Sequence, residues 1–149
     1  MSYLRFKYNL ADIQSVQTNI ESFPQPDRPT DGLGAIFTGY VSQEKGYFPI
    51  YDEDDVKIGY ATYEDNISNL GYNQKIYVSE TATYFIEEKG SITYTYSWEA
   101  DNNSGDFTPG TTVATRILAS TQNYYNRSGP IAINVGDDGE RIVNIVFNT

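Results

Sequence analysis

The stretch Ile92-Thr93-Tyr94-Thr95-Tyr96-Ser97-Trp98-Glu99 places Ile92, Tyr94, Tyr96 and Trp98 on one side and Thr93, Thr95, Ser97 and Glu99 on the other. A period of two, with aromatic and β-branched residues opposite small polar ones, is the pattern of a strand with one face turned to a core. Just upstream, Glu87-Glu88-Lys89-Gly90 reads as a hairpin turn closed by a left-handed glycine, and Lys75–Glu88 as the bent strand leading into it. Farther upstream lie the loop Asn66–Asn73 and the alternation of Val56, Ile58, Tyr60 and Thr62 against Lys57, Gly59, Ala61 and Tyr63. Before these come two short strands, Ala35–Val41 and Gly46–Tyr51, in which Pro49 favours an edge or a strand end. Downstream, the polar loop Asp101–Gly110 leads to a strand over Thr112–Ser120. Two more strands, Ile131–Val135 and Arg141–Phe147, are joined by Gly136-Asp137-Asp138-Gly139.

At the N-terminus, Leu4, Phe6, Tyr8 and Leu10 alternate with Tyr3, Arg5, Lys7 and Asn9, predicting a first strand. Ile13, Val16, Gln17 and Ile20 fit one side of a short helix with Asp12 as N-cap, a continued strand being the other reading. Phe23–Gly34 then carries Pro24, Pro26 and Pro29, a loop that no sheet interior accepts. The division expected is an N-terminal strand and Pro-rich arm over residues 1–34 and a β-barrel domain over residues 35–149. Seven to nine short strands make the chain all-β, as a single antiparallel eight-stranded barrel or, alternatively, a β-sandwich or jelly roll.

The 149 residues correspond to about one domain. Twenty Asp and Glu against ten Lys and Arg give a net charge of −10 and a pI near 4.2, which opposes binding to nucleic acid or to an anionic membrane. There is no run of 18 apolar residues to insert into a bilayer and no apolar secretory core near the start. Cysteine and histidine are both absent, which removes thiolate nucleophiles, disulfides, imidazole bases and nearly every zinc site. Fourteen Tyr, seven Phe and one Trp exceed what a core of this size needs, and the surplus points to binding surfaces.

Three local patterns in series carry a family resemblance. Tyr51-Asp52 followed by Lys57-Ile58-Gly59 is similar to an acidic turn before a strand that opens with an apolar residue and glycine. Thr81–Ile86 followed by Gly90-Ser91-Ile92 is similar to an aromatic strand, tight turn and returning strand. Between Ile117 and Gly129, Thr121, Tyr124 and Gly129 keep the spacing of a glycine-rich stretch, with Ala119, Ser120 and Gln122 where three glycines would stand. In this order, over roughly Ala35–Phe147, they resemble the allene oxide cyclase and dirigent barrels, and the resemblance implies eight strands. The interior glutamate and asparagine-held water used by the cyclases have no match here, so the cyclase activity is not carried over.

Tyr94, Tyr96 and Trp98 are candidate ligand-binding aromatics, lining a lumen or stacking on a ligand at a surface, with ordinary core packing as the plain reading. Arg116, on one face with Ala114 and Leu118, is a candidate interior charge that would pair with an acid such as Glu80, with an outward salt bridge or a snorkelling place at the strand end as the plain reading. Asp52 and Asp54 in one acidic run, and Asp101, Asn103 and Asp106 in another, offer oxygen ligands for calcium, with a solvated turn as the plain reading of each. No other cofactor is expected, and no phosphate loop or nucleophile elbow is present. The expected function is a non-enzymatic structural or interaction module, oligomeric, contacting its own copies or neighbours in an assembly such as a virion or extracellular complex. The alternatives are a small-molecule binder or isomerase of the cyclase and dirigent type, and a carbohydrate-binding module.

Overall fold

The computed structural model describes residues 2–22, 39–70, 75–100 and 107–148. Their strands are β1 (Ser2–Asn9), β2 (Gln14–Ser22), β3 (Gly39–Tyr51), β4 (Lys57–Leu70), β5 (Lys75–Ile86), β6 (Gly90–Ala100), β7 (Thr112–Arg116), β8 (Ala119–Ser120), β9 (Pro130–Val135) and β10 (Glu140–Phe147). All the ladders are antiparallel, in the order β7-β9-β10-β1-β3-β4-β5-β6-β8, with β2 also on β3.

Two bent strands turn this sheet into a ring. The first is β1–β2, which pairs with β10 over Ser2–Asn9, breaks at the 3-10 turn Leu10–Asp12, and then pairs with β3 over Gln14–Ser22. The second is β7–β8, in which the Ile117 amide donates to the Gly129 carbonyl at 2.9 Å and the Leu118 amide to the Thr93 carbonyl at 2.8 Å. Successive amides of a strand point to opposite sides, so this is the step at which the chain passes from β9 to β6. With each bent strand counted once, the ten strands make an eight-stranded antiparallel barrel. Its walls are unequal. β3 to β6 have 11 to 14 residues, whereas β7, β9, β10 and β1 have 5 to 8. Above the closed ring the long strands therefore continue as a half-barrel.

The closed end is packed with side chains. Phe6, Ile50, Tyr84, Ile92, Ile131, Val143 and Ile145 are essentially inaccessible, and the Phe6 ring meets Tyr84 edge-on at 4.7 Å. The segment that carries the glycine-rich resemblance caps this end. Tyr124 stacks on Phe147 at 5.4 Å, and the Thr121 hydroxyl accepts from the Ser91 amide at 3.0 Å. Gly129 holds φ +145°, and a Cβ there would sit 1.9 Å from the Val146 carbonyl oxygen, so no other residue fits.

Several expectations are corrected. Ala11–Ile20 is not a helix: Asn9, not Asp12, caps the turn by accepting from the Ala11 amide at 2.9 Å, and Gln14 onward is strand. Gln14 to Thr18 are exposed on both faces of β2, with Val16 70% accessible, so the run lacks the inside-outside alternation that marks a strand in sequence. Asn66–Leu70 continues β4 instead of starting a loop. Gly46–Tyr51 belongs to one long strand, β3, and Pro49 stands opposite the break between β1 and β2, where its missing N–H leaves no ladder position empty. In the β5–β6 turn both Glu88 and Gly90 have positive φ, +64° and +128°. The first strand, grouped in sequence with the arm, is paired along its length with β10 inside the barrel wall. Residues 23–38, which include the prolines, lie outside the described residues.

Because Phe6 is buried between the wall and Tyr84, Phe6→Ala should lower stability by about 3–5 kcal/mol in urea unfolding. Tyr3→Ala, at a 75% exposed position on the same strand, should stay within about 0.5 kcal/mol. Equal effects would contradict the placement of β1.

Candidate functional site

The long wall keeps one register from β3 to β6, so inward side chains stack in rows across four strands. Phe48, Ala61, Tyr84 and Ile92 form one row, followed toward the open end by Gly46, Tyr63, Ala82 and Tyr94. Next come Glu44, Asp65, Glu80 and Tyr96, and then Ser42, Ile67, Val78 and Trp98. Small residues beside large ones leave space: a Cβ on Gly46 would lie 2.6 Å from the Tyr63 ring. The result is a cavity of about 500 Å³ above the packed floor, walled by seven aromatic residues and closed on its far side by Val113, Ile133, Val135 and Arg141.

Three carboxyl groups thus stand shoulder to shoulder on one inner face. Directly opposed like charges repel, and burial withholds the water that would screen them. Asp65 is 9% exposed, and the Asp65 and Glu80 carboxyls are hydrogen-bonded to each other. Burial, then the Glu80 charge and hydrogen bond, then the Glu44 charge raise the Asp65 pKa from 3.8 to about 9. Asp65 is therefore protonated at neutral pH, with its carboxyl hydrogen-bonded to Glu80. Tyr94 donates its hydroxyl to Glu80 Oε2 at 2.8 Å, while Asp65 Oδ1 has no hydrogen-bond partner. Buried polar atoms are rarely left so, and the residue that carries this one lines the cavity.

Phenols surround the acids. Tyr63 is hydrogen-bonded to Ser15 and Glu44, and burial followed by the Glu44 charge raises its pKa. Burial is also the leading cause of the raised values of Tyr8, Tyr84 and Tyr94, so all these hydroxyls stay protonated. Arg141 is 6% exposed and donates from Nη1 to the Glu140 carbonyl at 3.0 Å. Its charge acts on Tyr8, its cross-strand neighbour, and does not figure among the influences on Asp65.

Tyr94, Tyr96 and Trp98 all line the cavity, Tyr94 buried and the other two half-buried. Trp98 lies 5.8 Å from Tyr96 and 4.9 Å from Phe107, an aromatic cluster at the mouth. Arg116 is on the outer surface with Ala114 and Leu118, in keeping with its plain outward reading and not with an interior pairing to Glu80; the lumen arginine is Arg141. Asp52 is a turn former: its Oδ1 accepts from the amides of Asp54 at 2.9 Å and Val56 at 3.0 Å. Among the described residues no group of three or more acidic side chains is placed to hold a metal ion. Asp101, Asn103 and Asp106 lie outside the described residues. Sequence reading overlooked Glu44, Asp65 and Arg141 and met Glu80 only as a partner for Arg116. The available signal was a charge on an otherwise apolar inward face, as in Ala61-Tyr63-Asp65-Ile67 and Arg141-Val143-Ile145-Phe147.

No family model and no curated protein matches this sequence. Among solved structures the chain is similar to pyocyanin demethylase, with a TM-score of 0.56 and 14% identity over 99% of this chain and 100% of that one. A likeness at this identity concerns the fold alone.

An acid whose folded pKa lies above its unfolded value adds stability at low pH. That contribution is complete below about 3.8 and is lost as pH rises toward about 9, because only the native state still holds the proton. Asp65→Asn removes this titration and keeps an amide able to donate to Glu80. The variant should be more stable than the parent at pH 8 by about 1 kcal/mol or more, with a smaller advantage at pH 5. Parallel urea midpoints at the two pH values would refute the protonated Asp65.

Proposed function

We propose that this protein binds a small, flat, largely apolar molecule in the lumen of its barrel. The observation that carries the reading is the cavity of about 500 Å³, walled by aromatic rings and lined by Asp65, whose Oδ1 is unpartnered. Ligand sites combine such apolar walls with a few convergent polar groups, and a volume of this size is within their usual range. A core built for stability alone would fill the space and pair the carboxyl oxygen. The fold is shared with a protein named as a demethylase, so barrels of this shape are not confined to structural roles. The resemblance to allene oxide cyclase and dirigent barrels agrees with the lumen as the place of binding.

Membership of an assembly, as a structural subunit, keeps one observation in its favour. Among the described residues β2 pairs on one side only, and it is exposed on both faces from Gln14 to Thr18, an edge without proline or lysine of its own to guard it. Light scattering at increasing concentration tests that reading: a chain monomeric throughout would count against self-assembly.

For the lumen, 1-aminoanthracene, neutral at pH 7.5, should bind one per chain, with saturable fluorescence enhancement. Trp98→Ala should weaken it about three- to tenfold through loss of ring stacking. Arg116→Ala, on the outer surface, should leave it unchanged. Absence of saturable binding, or indifference to Trp98→Ala, would overturn the reading.

A further inference from the structure

Resting on the lumen reading, we propose that the row Glu44, Asp65 and Glu80 recognises an organic cation, a flat protonated heteroaromatic amine that enters the barrel and places an N–H on Asp65 Oδ1. The cavity boundary holds three acids and one arginine. Even with Asp65 protonated, the other acids of the boundary outnumber its one arginine. The Arg141 guanidinium stands on the opposite wall, where it donates to the Glu140 carbonyl and its charge acts on Tyr8. Among the described residues, no lysine borders the cavity.

Asp65 Oδ1 is an independent sign of a missing donor. It is without a hydrogen-bond partner and belongs to a residue about nine-tenths buried that lines the cavity. An N–H carrying positive charge fits better than a neutral one, because a charge-assisted hydrogen bond in a poorly hydrated site is worth about twice a neutral one. The walls suit the same ligand. Tyr94, Tyr96 and Trp98 present π faces that attract a cation and stack on a planar ring. A neutral ligand of the same shape gains the stacking and leaves the excess charge unanswered.

The proposal has a proton signature. The groups that face Asp65 are Glu44 from β3, Tyr63 from its own strand, Glu80 from β5 and Tyr94 from β6, with Tyr8 and Arg141 across the lumen. The phenols are protonated throughout the neutral range, so the proton free to leave is the one that Asp65 holds beside Glu80. A bound cation supplies the positive charge that the pair lacks, and that proton goes to solvent.

The test uses two three-ring probes, 9-aminoacridine, protonated at pH 7.5, and neutral 1-aminoanthracene, in 0.15 M salt to screen the acidic surface. The cation should bind at least tenfold more tightly. Calorimetry in phosphate and Tris buffers should show close to one proton released per bound cation and none for the neutral probe. In Asp65→Asn the preference should fall to within about threefold and proton release should vanish, with circular dichroism unchanged; a merely structural role for Asp65 would move neither. Arg116→Gln should behave as the parent with both probes. Equal affinity for the two probes in the parent, or a preference that survives Asp65→Asn, would overturn the cation proposal while leaving the lumen reading in place. Failure of both probes to bind would overturn both.

Discussion

Cross-strand register along the long wall is the constraint on which the rest of the molecule depends. β4 is aligned with β5 over twelve consecutive pairs from Gly59–Ile86 to Leu70–Lys75, and β5 runs on β6 with equal regularity. A slip of one residue would turn Ala61, Tyr63 and Asp65 outward and bring Tyr60, Thr62 and Glu64 into the lumen. The turn Glu87–Lys89 and the close approach of Gly59 to Phe85, where a Cβ would lie 1.8 Å from the carbonyl oxygen, hold that alignment at the closed end. Floor packing, cavity shape and acid row are all consequences of one alignment.

Closure works against the same alignment and is achieved by breaking strands. The long wall cannot curl onto the short one without corners, and the two corners are the interruptions in β1–β2 and β7–β8, where one chain leaves one neighbour for another. Around the floor these breaks allow a complete ring and a dry core. Farther up, the short wall runs out while β3 to β6 continue, and this inequality opens the lumen. Stability and a binding cavity are thereby assigned to different heights of one barrel.

The acid row carries a cost to the fold that apolar side chains in the same places would not. Three inward carboxyls in adjacent register are tolerated because Asp65 keeps its proton and because Tyr94 and Tyr63 donate to its neighbours. Likeness of fold to a named enzyme leaves the chemistry of this lumen open, since function resides in the site and not in the barrel. In the proposed reading, the acids, phenols and rings of this chain select the ligand.

The barrel was legible because inward residues of a half-buried strand repeat every two positions: Ile92 to Trp98 and Leu4 to Leu10 display that period openly. β2 was misread because both of its faces are exposed, which erases the period, and the break in β1–β2 has no marker beyond Asn9. Arg116 and Arg141 look alike in sequence, each within a short strand, and only ring closure decides that one faces out and the other in. Glu44, Asp65 and Glu80 are separated by 20 and 14 intervening residues, and none is remarkable alone. Local alternation determines which side of a strand a residue takes, and the sequence carries that by itself. Which residues become neighbours across strands depends on register and closure, set by the packing of the whole chain, and so the acid row exists only in the folded barrel.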